Sequence, residues 1–203
     1  MDTDLFQVEY DETQKKYIIL TNWVKMLYNR GWLNSLKTSV DNIVKSLKFS
    51  EDDVVHIKTY ARTYAMKLFF RKISTIRKVD EIEDFLDKNN SSYRFFVISQ
   101  MANKAQKQLL EYNDVEVFTD EELLENIIEN IYVPIHIVLS EEEATKYKDE
   151  YRLKNTDIQR IFTTDPIAKY YNIKPGQLVK IIRPSLTAGE EIAFRLCVPG
   201  QII

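Results

Sequence analysis

The segment Arg94-Phe-Phe-Val-Ile-Ser99 constrains the fold more than any other stretch of this chain. A short apolar run held between polar residues reads as a strand buried in a sheet. Such a strand needs neighbours and cover, and the flanking sequence provides both. Upstream, Asp80 to Lys88 reads as a helix with Ile82, Phe85 and Leu86 on one face, followed by the turn cluster Asn89-Asn-Ser-Ser92. Downstream, Ala102 to Tyr112 reads as a helix and Val115-Glu-Val-Phe118 as a short strand. Thr119 with Glu122 three residues on forms a capping box for another helix. Earlier in the chain, Met66, Leu68, Phe70 and Ile73 give Ala65 to Ile76 a strand-like pattern, with Phe69 blurring the alternation. Residues 17–30 place Leu20, Trp23, Val24 and Leu27 on one helical face, and Gly31 follows as a C′ residue. A second helix is expected around Leu36 to Leu47. Strand–helix–strand–helix order predicts an α/β layer.

The second half is patterned differently. Val133-Pro-Ile-His-Ile-Val-Leu139 is extended, and Pro134 marks an edge or a strand start. Ser140-Glu-Glu-Glu143 is a capping box that opens a helix running to about Tyr151. Asp165-Pro166 is an N-cap followed by proline at the first helical position. Lys174-Pro-Gly-Gln177 is a turn, and Leu178 to Arg183 and Ile192 to Val198 are strands joined through a loop containing Gly189. The halves divide as 1–130 and 131–203 on pattern alone, since no Pro/Gly/Ser linker separates them.

Several chemistries are excluded. Gly31, Gly176, Gly189 and Gly200 are the only glycines, so no glycine-rich phosphate loop exists. Cys197 is the only cysteine, which rules out an internal disulfide and a cysteine-built zinc site. His56 and His136 stand alone, outside any metal-ligand spacing; a structural hydrogen bond at an edge or interface is the expectation for His136. No cofactor is expected. No apolar run reaches a membrane span, and the acidic N-terminus lacks a secretory signal, so a reducing intracellular setting is expected. Residues 1–130 carry 18 basic and 22 acidic side chains, and residues 131–203 carry 10 and 9. Neither balance is that of an autonomous nucleic-acid binder. The stretch 54–79 is nevertheless purely basic, with Lys58, Arg62, Lys67, Arg71, Lys72, Arg77 and Lys78; a solvated face is the simpler expectation.

Ordered blocks in the second half resemble a known family. They are Val133-Pro134-Ile135-His136, Tyr151-Arg152-Leu153, Arg160, and Asp165-Pro166-Ile167-Ala168-Lys169-Tyr170-Tyr171. After these come Lys174-Pro175-Gly176-Gln177-Leu178-Val179-Lys180-Ile181-Ile182-Arg183, then Ser185, Thr187, Gly189 and Phe194-Arg195-Leu196-Cys197-Val198. They are similar to the C-terminal assembly domain of the fifth-largest subunit shared by eukaryotic nuclear RNA polymerases, and to its archaeal homologue, which is little more than this domain. Beyond the family's last strand the chain adds Pro199-Gly-Gln-Ile-Ile203. Residues 1–130 match only loosely.

The resemblance implies an α/β N-terminal jaw domain, restriction-endonuclease-like but without nuclease activity, and a small α+β assembly domain. It implies a non-catalytic subunit that docks on the largest polymerase subunit, contacts other polymerase subunits and helps hold downstream duplex DNA weakly and without sequence preference. Interface residues would be Val133, Pro134, His136, Arg152, Arg183 and Arg195. DNA contacts would come from Gln100, Asn103, Lys104 and Lys107, at a turn where the family's proline is absent. The location would be the nucleus in a cell, or host cytoplasm and virion for a large DNA virus. Two other readings stand beside this one: a stand-alone restriction-like nuclease and a transcription adaptor working off the polymerase. The first needs an Asp/Glu-x-Lys on a strand. No lysine here has an acidic residue two positions before it; Asp114 and Glu116 alternate on a strand with no lysine following.

Overall fold

The computed structural model describes residues 10–33, 38–76, 79–185 and 187–200. The first residues of the helix expected from Leu36, Arg77 and Lys78 of the basic stretch, and the last three residues of the chain lie outside them. The chain divides into two compact units, Met1–Glu125 and Asn126–Ile203.

In the first unit, β1 (Val54–Lys58), β2 (Thr63–Ile73), β3 (Tyr93–Met101) and β4 (Val115–Phe118) form one sheet in that order. β1 runs antiparallel to β2, and β2, β3 and β4 run parallel. The crossover helices are α3 (Asp80–Lys88) and α4 (Asn103–Leu110). Both pack on one face, where Ile82, Phe85, Ala105 and Leu109 share a core with Phe96, Ile98 and Val117. The other face belongs to α1 (Glu12–Asn29), against which α2 (Val40–Ser46) and α5 (Asp120–Leu124) pack. Trp23 of α1 meets Phe95 edge-on at 5.5 Å. Because successive side chains of a strand alternate, Phe95 serves α1 while Phe96 serves α3 and α4. β3 is therefore buried on both sides, as its sequence demands.

The blurred alternation at Phe69 has a structural cause. Tyr64 through Phe69 are all buried, and the β2–β3 register shifts between Phe69 and Lys72. A bulge in a strand covered on both faces erases period-two patterning. Arg94 is not the polar boundary of β3 but a buried member of it. Its guanidinium donates to Leu86 O at 3.1 Å and to Asn113 O at 2.7 Å, tying α3 to the approach of β4. Burial pulls its pKa below the ordinary arginine value, and Asp114 opposes that shift. β1 escaped the sequence reading because its two buried residues, Val55 and Ile57, sit in the stretch that reads as a basic surface.

The second unit is a four-stranded sheet in the order β5 (Ile135–Val138), β7 (Leu178–Ser185), β8 (Gly189–Val198), β6 (Gln159–Phe162). β6 runs parallel to β8 and the other pairs are antiparallel. On one face α7 (Pro166–Tyr170) closes a core of Ile161, Ala168, Ile173, Val179, Ile181 and Cys197. On the other, α6 (Glu141–Tyr151) covers Leu178, Leu196 and Phe194 through Ala144 and Tyr147. Both expected caps are present. Ser140 Oγ accepts from Glu143 N at 3.3 Å while Glu143 Oε2 accepts from Ser140 N at 2.9 Å, and these bonds hold the Glu143 carboxyl below its usual range. β6 was missed because only Ile161 of its four residues is buried.

The first unit's sheet is fastened to the end of α1 by an ion pair. Arg30, the C-cap residue, donates both terminal nitrogens to the two carboxylate oxygens of Glu116 at 2.8 Å each. Its guanidinium lies over Trp32 at 4.8 Å, with its side chain 1% exposed against 12% for Glu116. Removing one partner of a buried pair strands the other charge, so Glu116→Ala is expected to cost about 3 kcal/mol. Arg62→Ala removes an exposed pair with Asp114, so its cost should stay below about 1 kcal/mol. Urea midpoints at constant slope measure both.

Candidate interaction surfaces

Of the two carboxylates expected to alternate on a strand, only Glu116 lies on β4; Asp114 precedes it in the left-handed conformation (φ 58°), and both are engaged. Glu116 holds Arg30, and Asp114 accepts from Arg62 at 2.7 Å. Among the described residues no group of three or more His, Cys, Asp or Glu side chains is placed to hold a metal ion, and no helix is long and apolar enough to cross a membrane.

The basic stretch does not form one face. Lys67 is buried beneath α3, where Nζ donates to Glu81 O at 3.3 Å. Arg62 is paired with Asp114, and Arg71 with Glu81 at 2.8 Å. Lys58 stands exposed at the end of β1. Lys72 is exposed and registers opposite Gln100, at the carboxyl end of the parallel strands. There it joins the four residues that the sequence reading singled out. Gln100 precedes the last residue of β3. Asn103 opens α4, whose N-cap is Ala102 and has no side-chain cap. Lys104 and Lys107 are exposed, while Ala105 and Leu109 of the same helix face the core. Three-residue spacing puts the two lysines on the solvent side of α4.

The residues expected to dock on a partner are spread over the second unit. Val133, Pro134 and His136 lie at the edge strand β5, where His136 Nδ1–H donates to Pro134 O at 2.7 Å. Arg183 is spent on a neighbour: it grips Glu191, directly across the hairpin, through bonds of 3.0 and 2.8 Å. Arg152 is exposed at the C-cap of α6, in the left-handed conformation (φ 52°). Arg195 is half-buried on β8, with Nε lacking a hydrogen-bond partner. Asp165 accepts from Ile167 N at 2.9 Å and Ala168 N at 3.4 Å and is a helix cap. Cys197 is a buried core thiol.

The sequence reading overlooked the most conspicuous feature of this unit. α6 covers only one end of its sheet face. At the other end Ile135 of β5, Ile182 of β7 and Ile192 of β8 register side by side, and Ile135 and Ile192 are 64% and 51% exposed. Ile137, the next outward residue of β5, is 43% exposed, and Ile131 and Tyr132 just before the strand are 88% and 87% exposed. Scattered exposed apolar residues need no explanation, but a contiguous row across three strands marks a surface that something else covers. A signal was available: residues 131–139 contain no charged side chain.

Comparison with known proteins gives a consistent result. The family model described as RNA polymerase Rpb5, C-terminal domain, matches residues 125–197. DNA-directed RNA polymerase subunit 5 of Acanthamoeba polyphaga mimivirus is 30% identical over 200 residues, covering 96% of this chain and 97% of its own length. The protein named DNA-directed RNA polymerases I, II, and III subunit rpabc1 of Dictyostelium discoideum is 36% identical over 129 residues, covering 61% of this chain and 66% of its own. The protein of the same name in Caenorhabditis elegans is 29% identical over 211 residues, covering 92% and 97%.

Asp165 separates a capping role from a docking role. As a cap, Asp165→Ala should lower unfolding stability by about 1 kcal/mol, and Asp165→Asn, which keeps an acceptor, by much less. Chemical denaturation of the chain alone checks this.

Proposed function

The chain belongs to the family of the fifth subunit of DNA-directed RNA polymerase and is a non-catalytic subunit of that enzyme; on that premise we propose how its two units share the work. The second unit, Asn126–Ile203 where the sequence pattern alone put 131–203, is the assembly domain and docks on the largest polymerase subunit. The first, Met1–Glu125, is a jaw of restriction-endonuclease-like type that stands beside the entering duplex. Bond making, metal ions and nucleotides belong to the partners.

The observation that supports docking through the second unit is the uncovered row Ile135, Ile182 and Ile192. Val133, Pro134 and His136 frame it along β5. Arg152 and Arg195 have side chains that suit carboxylates of a partner, since a guanidinium offers five donors in a fixed fork. Arg183 contributes through its cross-strand pair with Glu191 instead, by fixing the hairpin.

For DNA, the supporting feature is the turn from β3 into α4. The loop lies at the carboxyl end of the parallel strands, and Lys72 stands beside Gln100 there. Lys104 and Lys107 face solvent, and Asn103 starts the helix. Helix N-termini and lysines attract phosphate without reading bases. The formal net charge of -3 makes the isolated chain a weak DNA binder, so the contact operates inside the assembly.

Polymerase assembled with Lys104→Ala and Lys107→Ala tests the DNA contact. Each lost phosphate contact lowers the salt slope of duplex binding by about one unit. Elongation complexes of the double variant should therefore dissociate faster at low salt and respond less steeply to added salt. An unchanged slope and lifetime would make these lysines ordinary surface residues.

A further inference from the structure

The row of isoleucines leaves open how a partner takes hold of it. The backbone of β5 answers that question, on the premise that this unit docks within the polymerase. Leu139 N donates to Leu178 O, and the β5–β7 register pairs Ile137 with Lys180 and Ile135 with Ile182. In an antiparallel ladder hydrogen-bonded and non-bonded pairs alternate. The amides and carbonyls of Ile135 and Ile137 therefore turn toward β7, and those of His136 and Val138 turn away from the sheet. β5 is the edge strand, so these groups face outward.

The free edge is bounded at both ends by the chain's own side chains. Pro134 has no N–H, and its carbonyl is taken by His136 Nδ1. Ser140 N is taken by Glu143 Oε2. Between these closures lie the amides and carbonyls of His136 and Val138. Edges left open are ordinarily protected with charge. Two of the other edge strands carry an exposed one, Lys58 on β1 and Arg160 on β6, while the Glu116 carboxylate of β4 is buried against Arg30. β5 has none, and residues 131–139 have none. Side chains of a strand laid along β5 would continue the apolar face begun by Ile135 and Ile137.

We propose that β5 is extended in the assembled polymerase by an uncharged, apolar strand from a neighbouring polymerase subunit. The added strand bonds to the backbone of His136 and Val138 and packs its side chains over Ile135 and Ile137. Main-chain bonds supply grip, and packing over the alternate residues Ile135 and Ile137 supplies register.

The test is residue-resolved amide exchange on the full chain, alone and in purified polymerase. In the assembly the His136 and Val138 amides should slow by more than about tenfold, whereas those of Ile135 and Ile137, already bonded to β7, change less. A second measurement separates strand addition from side-chain docking. Val138→Pro deletes an outward N–H that the free chain does not use, and edge strands tolerate proline there. Val138→Ala trims the side chain and keeps the N–H. The proline variant should leave the polymerase more readily than the alanine variant while melting close to wild type. The proposal falls if the two amides exchange alike in both states. It falls equally if both variants are retained like wild type, or if the chain alone forms a dimer that protects these amides. If Val138→Pro fails to fold, the exchange data on the unaltered chain decide. A chain absent from purified polymerase would instead overturn the subunit reading on which this rests.

Discussion

Every sheet in a stable protein has to have its apolar faces covered and its edges closed, because exposed apolar area and unpaired backbone groups both cost free energy. The first unit meets this requirement largely from its own residues. β3 is buried on both sides, between α1 and the pair α3 and α4. The Arg30–Glu116 pair and Arg94 fasten helix ends and loops to the strands. The second unit does not meet it. α7 closes one face, α6 closes half of the other, and the remaining half shows a row of isoleucine across three strands beside an uncharged edge.

That contrast supports the proposed division of work. A unit whose Asp114 and Glu116 carboxylates are engaged by arginines has no free acidic pair there for a nuclease site but can present a charged loop on a rigid scaffold. The β3–α4 turn is such a loop, with its exposed lysines anchored by Ala105 and Leu109. A unit with an unfinished face is built to be completed by another molecule. In this reading a non-catalytic polymerase subunit gains stability from the partner that covers it, and the partner gains a platform beside the duplex.

The sequence made part of this legible, and the physical reasons are particular. β3 was visible because a strand covered on both faces must be apolar throughout. The helices after Thr119, Ser140 and Asp165 were visible because a cap requires specific side chains at fixed spacing. β1 and β6 were hidden for different reasons: the short alternation of Val55, His56, Ile57 and Lys58 lies in a stretch that reads as basic surface, and β6 has a single buried residue. Lys67 and Arg94 could not be placed, because a charged residue reads as surface until its carbonyl partners are known. Val133, Pro134 and His136 were singled out through family resemblance and fall on the edge strand. Ile135, Ile137 and Ile192, next to them in the chain or across the sheet, were passed over as ordinary strand residues. Only the register shows that Ile135 and Ile192 share one row with Ile182, and that α6 stops short of it.

The most direct measurement is the stoichiometry of a double variant, Ile135→Lys with Ile192→Lys, in polymerase purified through its largest subunit. Both side chains are more than half exposed, so the free chain should melt like wild type. If the isoleucine row is the docking surface, two buried lysines without partners should cut incorporation by at least about tenfold. Incorporation of the variant at one copy per largest subunit, with unchanged retention, would contradict the account and leave the row without a role in assembly.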